Sequence, residues 1–398
     1  MISVKEALGI ILENTSSFAT KKVKLEDSVG MVLMEDLYAD RDFPPFDRVT
    51  MDGIAIDYTN YAKGERSFNI AGIGAAGAPQ ITNPSPGSCV EIMTGAMLPK
   101  QTDTVVRYED VNVKDGVATI TIDNLNQGKN IHRQGEDCQK GALLVPKYTS
   151  ISPAEIGVAA TIGKSELQVA AIPKAAIITT GDELVEVTGN PLPHQIRKSN
   201  AYQIKTTIRK WGVDADLVHL PDDKEATYIS LENIIRNYPI VLMTGGVSKG
   251  KFDYVPGALE RLKVKKLFHR VAQRPGKPFW FGVADNGTKV FAFPGNPVST
   301  FMSVNRYFYA WLHKSLGLGS VTYPFARLAE DYFFKPDLTY YLQVKIDYSA
   351  DGIIWATPIT GNGSGDLSNL VNADAFLELP KGRTLFKKGE VFPFILYR

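Results

Sequence analysis

Ala175-Ala176-Ile177-Ile178-Thr179-Thr180-Gly181-Asp182-Glu183 and Pro239-Ile240-Val241-Leu242-Met243-Thr244-Gly245-Gly246-Val247-Ser248, the second with Asp253 close behind, are two versions of one design. In each, a short apolar run rich in β-branched residues stops at Thr-Gly. Such runs, bounded by glycine, read as strands buried on both faces. A strand that ends this way leaves free backbone N–H groups at the carboxyl edge of a sheet, where an anion can be held. An acid just beyond each loop is what a divalent cation bridging to that anion requires. Either loop alone reads as an ordinary strand-to-helix turn. Their repetition points to a phosphate-bearing ligand and a metal.

Outward from these loops the pattern alternates. Strand 175–180, helix 199–211, strand 213–219, helix 223–237, strand 239–244, helix 254–262 and strand 265–272 are followed by strands Phe279–Val283 and Val290–Phe293 and a helix from about Val298 to Leu316. This predicts βαβ units and a mostly parallel sheet covered by helices. Upstream, Val4, Ala7, Leu8, Ile11 and Leu12 recur at helical spacing, so the start of the chain reads as an amphipathic helix rather than a signal peptide. Residues 22–40 read as helix or extended chain, and the prolines of Asp42-Phe43-Pro44-Pro45-Phe46-Asp47 break regular structure. Residues 50–137 have the texture of a small β domain, with a hairpin around Lys114-Asp115-Gly116. Ser152-Pro153 opens a further helix, and Leu167–Ala171 reads as a strand. Beyond Gly319, strands near 325–331, 340–347, 353–358, 374–379 and 391–396 suggest a closing all-β domain.

Composition narrows the function classes. At 398 residues, 44% hydrophobic and 22% charged, the chain has the make-up of soluble globular protein of two to four domains. A formal net charge of +1 offers no global field for nucleic acid or an anionic membrane, and no apolar run approaches a membrane span. Cys89 and Cys138 form no zinc spacing, which suits a reducing cytoplasm, and the five histidines give no ligand pattern.

Three stretches carry chemistry besides the glycine loops. Asp222-Asp223 follows a strand and precedes a helix; it reads as an N-cap, or as an acid at the same sheet edge as Glu183 and Asp253. Arg270, Arg274 and Lys277, braced by Pro275, Gly276 and Pro278, make a rigid cationic clamp suited to an anion. Phe293-Pro294-Gly295-Asn296-Pro297-Val298-Ser299 joins a strand to a helix whose amino end then faces an anion beyond the sheet; a purely structural turn is the other reading. No nucleophilic triad stands out, so the chemistry reads as electrostatic and metal-assisted.

Taken in order, these stretches resemble the molybdopterin molybdenumtransferase family (MoeA, and the E domain of gephyrin). The resemblance rests on Pro44-Pro45-Phe46-Asp47 with Met51-Asp52-Gly53, Met93-Thr94-Gly95-Ala96, Gly135-Glu136-Asp137, Thr180-Gly181-Asp182-Glu183-Leu184, Thr244-Gly245-Gly246-Val247-Ser248 with Asp253-Tyr254, Pro275-Gly276-Lys277-Pro278, Pro294-Gly295-Asn296-Pro297-Val298-Ser299 and Gly363-Ser364-Gly365-Asp366-Leu367-Ser368. It spans nearly the whole chain. It implies α/β plus β architecture: an elongated linking domain in two segments (1–42 and 138–172), an inserted β domain (43–137), a MogA-like three-layer α/β domain (173–318) and a C-terminal β-barrel (319–398). It also implies a cytoplasmic homodimer with its active cleft between subunits, a molybdopterin adenylyltransferase as upstream partner, and no nucleic-acid or membrane partner. The reaction implied is insertion of molybdate into adenylylated molybdopterin, with Mg2+-dependent hydrolysis of the adenylate to give AMP and molybdenum cofactor.

By motif, Asp52, Thr94, Glu183, Asp222 and Asp253 match the family's catalytic positions, with Glu183 and Asp253 as metal ligands. Gly181, Ser199, Asn200, Gly245, Gly246, Ser248, Arg270, Arg274, Lys277, Pro294, Asn296, Pro297 and Ser299 match substrate-binding positions. The chain departs from the family where three arginines read His132-Arg133-Gln134, where an acid is replaced by Lys198, and where two arginines appear as Leu338 and Gln343. The alternatives are a non-catalytic molybdopterin-binding or scaffold paralogue and, with less support, an adenylyltransferase acting on molybdopterin.

Overall fold

The computed structural model describes residues 1–246 and 254–398, so Ser248 and Asp253 lie outside the described residues. Its central sheet is built from the apolar runs that open the sequence reading. The strands are β1 (Ala175–Thr180), β2 (Ala215–Leu220), β3 (Ile240–Thr244), β4 (Lys265–His269), β5 (Trp280–Val283) and β6 (Lys289–Phe293). Their order is β2-β1-β3-β6-β5-β4; the first four are parallel, and β5 and β4 close the edge antiparallel.

The two-residue period of the strands sorts their side chains into two buried layers. Ala175, Ile177, Ile240, Leu242, Phe291 and Phe293 face one side. There they meet Ile204 and Ile208 of α1 (Ser199–Arg209) and Met302 and Trp311 of the final helix. Ala176, Ile178, Val241, Met243, Val290 and Ala292 face the other, against α2 (Lys224–Asn237) and α3 (Val255–Arg261). The result is a three-layer α/β domain, as expected. The final helix runs from Pro297 to Ser315, its α-helical parts α4 (Pro297–Ser303) and α5 (Tyr309–Ser315) flanking a π turn, Val304–Phe308.

The last strands form a closed barrel. β7 (Phe325–Leu328), β8 (Thr339–Tyr348), β9 (Ile354–Pro358), β10 (Ala375–Leu379) and β11 (Val391–Leu396) run in the order β8-β9-β7-β11-β10, and pairing of β10 back onto β8 completes the ring. Closure removes the free strand edges that an open sheet exposes. Upstream, Val4–Glu13 is an amphipathic helix whose Val4, Ala7 and Ile11 pack into the α/β core. Ala19–Lys24 pairs antiparallel with Glu166–Ala171, so the segment left open as helix or extended begins extended. A six-stranded sheet occupies residues 53–120, including the expected hairpin Val111–Lys114/Val117–Ile120. Ser152 and Glu155 form a capping box at the helix Pro153–Thr161.

A candidate active site at the carboxyl edge of the sheet

The strand order fixes where a ligand can sit. From β1 the chain leaves to one side to make β2, and β3 then returns on the opposite side of β1. That reversal is a topological switch point, and the crevice outside it lies between loops that diverge. The loops after β1 and β3 flank it directly, with Thr179 level with Thr244, and Phe293 of β6 level with Thr244 on the other side.

The two glycine loops touch. Gly246 has φ +68°, and a Cβ there would stand 2.8 Å from the Thr180 hydroxyl oxygen. At Gly181 (φ +124°) a Cβ would stand 2.3 Å from a carboxylate oxygen of Glu183. Backbone conformation favours glycine at both positions, and at Gly246 the space between Thr180 and Val255 does so as well. At Gly181 the space beside the backbone is filled by the Glu183 carboxylate, which accepts no hydrogen bond from any described residue.

Asp222 joins this edge through Asp182. The Asp182 amide donates to Asp222 (3.3 Å) and the Asp222 amide donates to Asp182 (3.1 Å), zipping the loops after β1 and β2 together. The neighbouring acid, Asp223, is the N-cap of α2 and accepts from the Ala226 amide at 2.8 Å. The two readings of Asp222-Asp223 thus divide between the residues.

Asn200 in the first turn of α1 ties the other side. Its amide donates to the Thr244 hydroxyl at 2.8 Å and to the Gly295 carbonyl at 2.7 Å. A cavity of about 100 Å³ lies among these groups, walled by Thr180, Glu183, Lys198, Ser199, Asn200, Gly245 and Pro297. Pro294 and Ser299 are buried behind the loop, and Asn296 donates to the Ser364 hydroxyl of the barrel domain at 2.8 Å.

Of the three cations expected to form a clamp, only Arg274 lines a second cavity. Arg274 and Pro275 line a space of about 360 Å³ with Val298, the aromatics Tyr332, Phe334 and Tyr340, Gln343 and the loop Ile359–Ser364. Phe334 and Tyr340 stack with their ring centres 4.1 Å apart. Arg270 is half-buried at φ +81° with its backbone bonded to Ile2 and Phe279, and Lys277 is exposed. This aromatic shelf escaped the sequence reading, although Tyr332-Phe333-Phe334 and Tyr340-Tyr341 were there to be noticed.

In the inserted β domain, one oxygen of Asp52 accepts from both the amide and the hydroxyl of Thr94, each at 2.6 Å. These two bonds hold the Asp52 carboxyl below its ordinary range, the hydroxyl contributing more than the amide. Among the described residues, no hydrogen bond, ion pair or cavity joins Asp52 or Thr94 to the sheet-edge loops of the same chain.

The departures have physical addresses. His132 bonds Asp137, Arg133 pairs with Asp47 at 2.7 Å, and Gln134 reaches Asp42 and Asp47, so this run braces the crossover between domains. Leu338 packs on the barrel core, and Gln343 lines the cavity beside Arg274. Lys198 does not remove charge: it adds a cation to the sheet-edge cavity and pairs with Glu186 at 2.5 Å. His219, level with Thr179 and bonded to it at 3.1 Å, is held below its ordinary pKa by burial first and by Lys198 second.

Among the described residues no three His, Cys, Asp or Glu side chains gather as a metal cluster. The donor set still suits Mg2+, which takes one or two carboxylates and completes its shell with water and substrate phosphate. Glu183 supplies a hard oxygen with no competing partner among the described residues.

Comparison with known proteins agrees along the whole chain. The model for the MoeA N-terminal region (domains I and II) matches residues 2–163, that for a probable molybdopterin binding domain matches residues 176–314, and that for the MoeA C-terminal region (domain IV) matches residues 326–397. The chain is 38% identical over 397 residues to the molybdopterin molybdenumtransferase of Synechocystis sp., covering 99% of each. It is 31% identical over 403 residues to that of Staphylococcus epidermidis, covering 99% of this chain and 95% of the relative. The crystal structure of the molybdopterin biosynthesis MoeA protein from Pyrococcus horikoshii superposes with a TM-score of 0.85 at 28% identity, covering all of both chains.

Proposed function

The chain belongs to the molybdopterin molybdenumtransferase family, enzymes of molybdenum cofactor biosynthesis, and we propose that it inserts molybdate into adenylylated molybdopterin, with Mg2+-dependent hydrolysis of the adenylate releasing AMP and molybdenum cofactor. The observation that carries this reading is the meeting of Thr180, Glu183, Asn200, Gly245 and Pro297 around one cavity at the switch point of a parallel sheet. The start of α1, whose N-cap side chain makes no capping bond, presents partial positive charge to a phosphate chain.

Glu183, with Asp253, would hold Mg2+, which when bound neutralises phosphate charge and activates water. In this reading Asp222, bonded to Asp182 one residue before Glu183, orients the water that attacks phosphorus. Arg270 and Arg274 neutralise molybdate and the terminal phosphate of molybdopterin from the clamp side. The Asp52–Thr94 pair belongs to the same chemistry only if another subunit delivers it, so the reading includes a homodimer with a shared cleft. A molybdopterin adenylyltransferase would act upstream, since its product is the substrate consumed here, and both would work in the cytoplasm.

The test is to incubate the purified protein with adenylylated molybdopterin, Mg2+ and molybdate and to measure AMP release and metal incorporation. Glu183→Ala and Asp222→Ala should each lower turnover by about two orders of magnitude or more, the scale on which groups stabilising transition-state charge act. Full activity in both variants overturns the site. Binding without AMP release assigns the chain to the non-catalytic molybdopterin-binding or scaffold class instead.

A further inference from the structure

We propose that Lys198 is a substrate-contacting cation that leaves its ion pair with Glu186 to take a phosphate oxygen of the ligand, setting this chain's selectivity at the mouth of the sheet-edge cavity. The proposal rests on the reading of that cavity as a phosphate site. Lys198 occupies the N-cap position of α1 but makes no capping bond with its side chain, so the first-turn amides of this helix have no side-chain partner from it. Its backbone amide is fixed to the Val185 carbonyl at 3.0 Å, and the residue forms part of the cavity wall beside Ser199, Asn200 and Glu183.

The two members of the ion pair differ in setting. The side chain of Lys198 is 11% exposed, whereas that of Glu186 is 62% exposed. The lysine stem is therefore held against protein, while its partner carboxylate stands largely in water, where an ion pair gains little. An ammonium carries three donors, and Glu186 is the one acceptor bonded to it among the described residues. A phosphate entering the cavity brings more negative charge into a less hydrated space, where a charge-assisted bond is stronger. Arg197, the other cation in the wall, is exposed and has its guanidinium bonded to the Gly189 carbonyl at 3.1 Å. Of the nearby acids, Glu183 shares the cavity wall, and Asp182 and Asp222 are bonded to each other in the adjoining loops. Against that negative charge a cation at Lys198 favours a phosphate; the acid that the resembling family carries at this position would favour a hydrogen-bond donor of the ligand.

Two substitutions of opposite sign test this. Lys198→Gln removes the cation, and Glu186→Gln frees it. With adenylylated molybdopterin, Lys198→Gln should raise KM about tenfold with a much smaller change in kcat, the size expected for losing one charge-assisted bond. Glu186→Gln should lower KM two- to threefold, on the scale of a weak exposed pair. A lysine that merely braces the lip predicts loss in both variants, and that result overturns the proposal. Calorimetric titration of the full-length variants with AMP and with inorganic pyrophosphate reads the same contact without turnover. Weaker binding by Lys198→Gln and tighter binding by Glu186→Gln support the contact even if no AMP release is ever seen. Equal binding by all forms, or no binding by the unsubstituted protein, overturns it.

Discussion

Asp52 and Thr94 show how much one residue pair can commit to a purpose. A single carboxylate oxygen takes two donors from the same threonine, so the ionised form is bonded and the proton is disfavoured. The sign of the linkage follows. A carboxyl whose folded pKa lies below its unfolded one, about 3.9 for aspartate, stabilises the folded chain at pH above the unfolded value. That contribution is lost as pH falls through the depressed folded value. Thr94→Ala removes the hydroxyl and keeps the amide, so Asp52 should move part of the way back towards its ordinary pKa. Its carboxyl-carbon NMR titration would read the shift, and an unchanged midpoint would show that the hydroxyl is not what holds it. Both residues were legible as motif members in the sequence. Their mutual bond was not, because a separation of 42 residues carries no local signal. The same limit applies to Asp222: the sequence leaves two roles open for Asp222-Asp223, and only the reciprocal bonds with Asp182 set Asp222 apart from the cap at Asp223.

Elements were legible wherever periodicity and punctuation agreed. β1 has the same bounds in sequence and structure, because its apolar run is buried on both faces and stops at a position whose backbone conformation favours glycine. The last helix of the α/β domain reads as one piece from about Val298 to Leu316, and it is one, but with a π turn inside it that periodicity does not announce. The cause is tertiary. Arg306 in that turn bonds the Tyr341 hydroxyl at 3.2 Å and pairs with Glu378 at 3.2 Å, both on barrel strands, while Tyr307 donates to Gln273 beside the clamp. Nothing within the helix announces partners so distant in sequence, and π turns recur where a helix must aim side chains at a site. The start of α1 is the element that sets the width of the sheet-edge cavity, and Asn200 is its only tie to both Thr244 and Gly295 among the described residues. Asn200→Ala removes two hydrogen bonds and should cost about 1–2 kcal/mol. A lower urea midpoint with an unchanged slope would register this. Asn200→Asp keeps the size but sets a carboxylate against the Gly295 carbonyl, so it should destabilise more than alanine. The reverse order would mean that the amide contributes packing and not donors.

At the scale of the molecule, the α/β domain and the barrel are joined by polar contacts as well as apolar ones. Asn296 meets Ser364, the Val298 amide donates to the Ser364 carbonyl, and Arg306 reaches Glu378, so the cavity beside Arg274 has walls from both domains. Among the described residues the β sheet of residues 53–120 has no such tie to the sheet-edge loops, and the Asp52–Thr94 pair and the Glu183 cavity stand apart within one chain. Sequence reading reached the parallel sheet and the closing barrel because each has its own periodicity and punctuation, but a site shared between distant segments leaves no local signal. The proposed shared cleft makes a quantitative demand. In a C2 dimer each cleft takes Glu183 from one subunit and Asp52 from the other. Coexpressing Asp52→Ala and Glu183→Ala chains gives homodimers with no intact cleft and mixed dimers with one intact cleft out of two. Random pairing makes about half the dimers mixed, so AMP release should recover to about a quarter of the unsubstituted level. Each variant alone should be inactive. If both residues act within one chain, every cleft in the mixture carries one lesion and mixing restores nothing. Recovery therefore depends on the cleft crossing the subunit boundary, and an inactive mixture in which mixed dimers are shown to form would return Asp52 and Thr94 to the β domain's own structure.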